Sequence, residues 1–179
     1  MKKFWLFNLL LAILLASCGS SNKVSTIVGG DYDPKKDVTD YFVFPLGRVS
    51  LPGKWDKTDY LASAHQQFFT NQDSIPIAIA FGPYDKYEFN DNKSLKGNDF
   101  VKAFYDWESD YYVSDEIKSE ILETDTAKQY IIFRFYGPLV NSYFLVREKN
   151  GAVSNFSVHA TDKWSEREKI QFLKSLIKD

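Results

Sequence analysis

Cys18 is the only cysteine in the chain, and it closes the run Leu15-Ala16-Ser17-Cys18. Small residues directly before a thiol suit a peptidase that cuts the Ser17-Cys18 bond and leaves the thiol to carry a modification. One cysteine excludes an intramolecular disulfide and a zinc site built from several thiolates. His65 and His159, the two histidines, are joined by no HExxH spacing and no Gly-x-Ser-x-Gly elbow occurs, so no catalytic residue is assigned. Asp31, Asp33, Asp37 and Asp40 invite a calcium reading. Counted from Asp31, however, Lys36 stands where an EF-hand loop must turn on glycine, and Phe42 where it needs a bidentate glutamate. No metal site is assigned and no cofactor is expected. Gly29-Gly30 has neither the strand before it nor the helix after it that a phosphate loop requires.

Aromatic side chains offer a second kind of chemistry. Tyr105, Trp107, Tyr111 and Tyr112 share a short segment with Asp106, Glu108 and Asp110. Aromatic faces flanked by carboxylates can stack a pyranose while the acids accept its hydroxyl protons. A stripe at helical spacing is more often core, so Phe104 and Trp107 are assigned to packing, and Tyr105 and Tyr112, at the stripe's edge, to ligand contact. Tyr84 and Tyr87 join them as candidates because they sit in a loop, where packing explains aromatics less easily. A hydrolase would draw on Asp106 and Asp110.

The elements that must position these groups are legible in the periodicity. Short β-rich runs cover Tyr41 to Val49, Tyr60 to Phe69 and Ile75 to Phe81, the last alternating isoleucine and phenylalanine with small residues. From Lys96 to Tyr112 the period becomes helical, with Asn98 or Asp99 as the expected N-cap and Phe100, Phe104, Trp107 and Tyr111 as the apolar stripe. Strands return over Lys128 to Tyr136, Ser142 to Glu148 and Ala152 to His159, the last pair joined by Asn150-Gly151, a two-residue hairpin signal. Ser119 to Glu123 fits either a strand or a helical turn. A terminal helix follows, with a Ser165/Glu168 capping box and a stripe of Ile170, Leu173, Leu176 and Ile177.

Lys2 and Lys3 precede an apolar run from Phe4 to Leu15, which is too short to span a bilayer. Together with Leu15-Ala16-Ser17-Cys18 this segment resembles the signal and lipobox of bacterial lipoproteins. The resemblance implies cleavage before Cys18 and lipidation of its thiol and new amino group. Gly19 in place of aspartate favours the outer membrane. Several acyl chains hold a protein stably where one does not. Residues 18–40, polar and rich in Gly, Ser and Asp, read as a tether, and residues 41–179 as a single domain. Loss of Lys2 and Lys3 leaves 20 of the 22 basic residues against 24 acidic ones, a net charge of −4. That balance argues against a nucleic-acid partner. The expected partners are the membrane, through the lipid, and an envelope protein or glycan.

Strand pairs joined by tight turns, with two helices, indicate an α+β fold: a mostly antiparallel sheet flanked by helices. The stretch Val49-Ser50-Leu51-Pro52-Gly53-Lys54-Trp55 and the later Phe172-Leu173-Lys174-Ser175-Leu176 are similar to segments of the PsbP/Mog1/DcrB-like group. What that likeness implies is an α/β/α sandwich used for binding or assembly, with no activity attached. The expected function is therefore that of a lipid-anchored envelope binding or assembly module, with a glycan-binding or glycan-active protein as the alternative. Asp73-Ser74-Ile75 and Asp125-Thr126-Ala127 also resemble acceptor motifs of bacterial O-glycosylation.

Overall fold

The computed structural model describes residues 26–177, so Leu15, Ala16, Ser17 and Cys18 lie outside the described residues. In chain order the elements are β1 (Ile27–Gly29), β2 (Tyr32–Asp33), β3 (Val38–Phe44), β4 (Gly47–Pro52), β5 (Trp55–Leu61), β6 (Gln66–Asn71) and β7 (Pro76–Pro83). Then come α1 (Gly97–Tyr112), β8 (Lys118–Asp125), β9 (Tyr130–Tyr136), β10 (Asn141–Lys149), β11 (Ala152–Val158) and α2 (Glu166–Ser175). Seven of the strands form one antiparallel sheet in the order β5-β6-β7-β11-β10-β9-β8. The α+β class expected from the sequence is what the chain adopts.

Alternation along the central strands divides this sheet into two apolar faces. Ile77, Ile79 and Phe81 of β7, Tyr130 and Ile132 of β9, Leu145 of β10 and Phe156 of β11 share one cluster with Leu173 and Leu176 at the end of the chain. Ile131, Phe133 and Phe135, Val146 and Val153 share the other with Phe100, Val101 and Phe104 of α1. The helices thus cover opposite faces, which is why β9 opens on the apolar run Tyr130-Ile131-Ile132-Phe133.

A second sheet, absent from the sequence reading, completes the first face. β3 pairs with β4 along one edge and with β1 and β2 along the other, all antiparallel. Its inward residues Tyr41, Val43, Val49 and Leu51 join the cluster beneath α2, with Tyr41 edge-on to Phe69 at 5.3 Å between ring centres. The tether therefore does not run to Asp40. Val28 opposes Val43 and Tyr32 opposes Thr39, so residues from Ile27 onward are part of the folded unit. Three- and two-residue strands carry too few apolar residues to show a period, and only a partner strand reveals them.

Both helices obey their stripes, with two corrections. α2 has its capping box: the Ser165 hydroxyl accepts from the Glu168 amide, and the Ser165 amide donates to the Glu168 carboxylate at 2.7 Å. α1 has no side-chain cap from Asn98 or Asp99. Its first amide, on Gly97, instead donates to the buried carboxylate of Glu148, which also accepts from Gly151 at 2.7 Å. Tyr111, assigned to the stripe, is 76 % exposed and meets the ring of Tyr112 edge-on. Ser119 to Glu123 belongs to strand β8. Among the described residues no helix is long and apolar enough to cross a membrane.

Candidate functional site

At one end of the sheet a shallow polar groove lies between the β3–β4 turn and the β10–β11 hairpin. Leu46 donates to the Val43 carbonyl at 2.7 Å and closes the turn, and Gly47 lies directly on Phe81. A Cβ at Gly47 would sit 2.2 Å from the Phe81 ring, so only glycine lets the small sheet approach the large one this closely. Across the groove, Asn150 (φ 55°) and Gly151 (φ 83°) form the two-residue turn that Asn-Gly predicts. Glu148 anchors this hairpin from beneath through its bond to the Gly151 amide.

Three cations line the groove: Arg48, Arg147 and Lys149. Arg48 donates to Asp40 at 2.7 Å and Arg147 to the Lys128 carbonyl at 3.0 Å. The Ser50 hydroxyl, then Arg48, hold the Asp40 carboxyl below its usual range. Neither a histidine nor a carboxylate pair lines the groove. The arrangement can hold a carboxylate or phosphate group, and it offers no acid–base couple. Arg48 is about a hundred residues from Arg147 and Lys149 in sequence, and no local motif signals their meeting.

A second shallow groove follows α2 past Glu166, Arg167, Ile170, Gln171 and Lys174. Its charges are engaged with one another. Arg134 donates to Glu120, to Glu166 at 2.8 Å and to the Tyr143 hydroxyl at 3.1 Å. Glu123 accepts from Lys174 at 2.6 Å and from the Tyr130 hydroxyl. Lys169, buried, donates to the Thr161 carbonyl at 2.8 Å, and burial pulls its pKa down. This network pins α2 to strands β8, β9 and β10 and leaves little charge to spare for a ligand.

The four tyrosines singled out by sequence do not converge. Tyr84 lies at the groove end, with Lys96 5.3 Å from its ring centre. Tyr87 packs edge-on against Phe100 and Phe104, both at 5.4 Å. Tyr105 packs on Phe133 and shares a hydrogen bond with Ser119. Tyr112 rests on Phe135 near the far end of α1. Asp106 is paired with Lys102 at 2.6 Å. The carboxyl that the fold perturbs most upward is Glu108, pushed up to about 7 by burial. Its position four residues after Phe104 and seven after Val101 was the signal for it.

His159 stacks on Phe68 at 5.6 Å and is held below its usual pKa by burial, while His65 lies exposed beside Tyr60. Ser74 and Thr126 occupy exposed turns. Among the described residues no three His, Cys, Asp or Glu are grouped to hold a metal ion.

No protein-family model and no curated protein sequence matches the chain. Among solved structures the chain is similar to the solution structure of cyanobacterial PsbP (CyanoP) from Synechocystis sp. PCC 6803. The TM-score is 0.46 and the identity 14%, over 89% of this chain and 94% of that one.

Proposed function

We propose that this chain is a lipid-anchored envelope protein whose domain is a binding or assembly module, holding a partner that presents carboxylate or phosphate groups. The groove of Arg48, Arg147 and Lys149 carries the reading: it concentrates positive charge on a domain whose net charge is negative. The anchor rests on Leu15-Ala16-Ser17-Cys18, and Gly19 after it favours the outer membrane. The alternative of a glycan-active protein needs stacked aromatics beside free carboxylates. Tyr84, Tyr87, Tyr105 and Tyr112 are dispersed, and Asp106 is engaged by Lys102.

Fractionation of cells producing the wild type or Cys18→Ala tests the anchor. The wild type stays with membranes after carbonate washing and the variant is released; a variant that stays in the pellet overturns the lipid anchor.

A further inference from the structure

Ile27 opens the first described strand and belongs to the folded domain, and that bears on how the domain sits. Ile27 and Phe44 are paired across β1 and β3, face outward, and are 60 % and 62 % exposed. Outward-facing Phe42 opposes Arg48 on the same small sheet and packs over Gly29. Phe44 is one residue from Pro45, where the basic groove opens. An exposed apolar patch thus shares a rim with Arg48, Arg147 and Lys149. Large exposed apolar side chains beside cations match the boundary between acyl chains and anionic headgroups.

Chain length supplies the second argument. From Cys18 to Ile27 there are nine residues, which whatever their conformation reach about 30 Å at most. A tether running to Asp40 would have reached about 75 Å. Folding β1, β2 and β3 into the domain removes most of that slack at the very strand that bears the apolar patch.

We propose that this face, Ile27 and Phe44 with the groove cations, is the membrane-facing surface of the domain, seated on anionic lipid headgroups of the bilayer that holds Cys18. The proposal rests on the lipid-anchor reading and narrows the groove's partner to the membrane itself. It orients the molecule: the β10–β11 hairpin points to the bilayer and the β9–β10 loop, with Leu139 95 % exposed, points away. Eight residues of β10 separate the two ends, about 27 Å.

Because Cys18 is the only native cysteine and its thiol carries lipid in the anchored form, a second cysteine can be labelled alone. Lipidated protein with Phe44→Cys or Leu139→Cys, both exposed sites, is coupled to an environment-sensitive dye. It is then reconstituted on vesicles of phosphatidylcholine and phosphatidylglycerol containing a lipid-borne quencher. The expected result is loss of fluorescence at 44 and none at 139. Adding Lys149→Glu, at the exposed end of β10, weakens the loss at 44 in mixed vesicles and leaves it unchanged on phosphatidylcholine alone. Protein that floats with vesicles but is quenched equally at both sites, at 139 alone or at neither overturns the orientation while the anchor stands. Quenching at neither site would assign the face to a protein partner. Protein that fails to float overturns the anchor reading itself.

Discussion

Glu108→Gln separates the cost of a buried charge from every other pH effect in the domain. Burial pushes the Glu108 carboxyl from 4.5 up to about 7. Between those values the native protein holds a proton that the unfolded chain has released, so stability falls as pH rises through the window. The contribution is fully present below about 4.5 and lost above about 7. At about 1.4 kcal/mol per pH unit, the window corresponds to about 3 kcal/mol. Other groups slope the opposite way: burial holds His159 below its usual value, and hydrogen bonds hold Asp40 and Glu123 below theirs, so each adds stability as pH rises. Subtracting the wild-type curve from that of Glu108→Gln cancels those terms. Urea unfolding at a series of pH values from about 4.5 to about 7.5 supplies the curves. The variant should match the wild type at the acid end, where Glu108 is neutral, and exceed it by about 3 kcal/mol at the neutral end, with an unchanged denaturant slope. A difference that stays constant across the series refutes the reasoning, because it would report packing alone.

Glu148→Gln should destabilise the domain by about 1–3 kcal/mol, since an amide NH₂ would then face one of the two backbone donors, Gly97 or Gly151, that the carboxylate now satisfies. Hydrogen exchange checks it, with protection falling first in the β10–β11 hairpin and the first turn of α1. Gly47→Ala should cost about 1–3 kcal/mol because its methyl group meets the Phe81 ring. A thermal melt with no loss would show that the small sheet yields at that contact.

Much of the fold was legible because the central strands and both helices repeat their apolar residues at the period of their own backbone. Ile77, Ile79 and Phe81 announce β7, Asn150-Gly151 the hairpin, and Ser165 with Glu168 the start of α2, each through neighbours in sequence. The small sheet was hidden because β1 and β2 hold three and two residues and take their pattern from β3. The surroundings of Tyr87 were hidden for a related reason. Tyr87 looks like a loop residue until Phe100 and Phe104 close over it.

From sequence alone came the α+β class, the helix stripes, the lone thiol of Cys18 and the absence of any catalytic motif, since each depends on residue type and local spacing. Tertiary structure decided where charge accumulates and what is buried. Arg48 meets Arg147 and Lys149 only because the small sheet docks through Gly47 onto Phe81. Glu148 replaces a local cap only because the hairpin passes beneath the start of α1. Such pairings join residues fifty to a hundred positions apart, and pattern along the chain carries no information about them until the sheet brings them together.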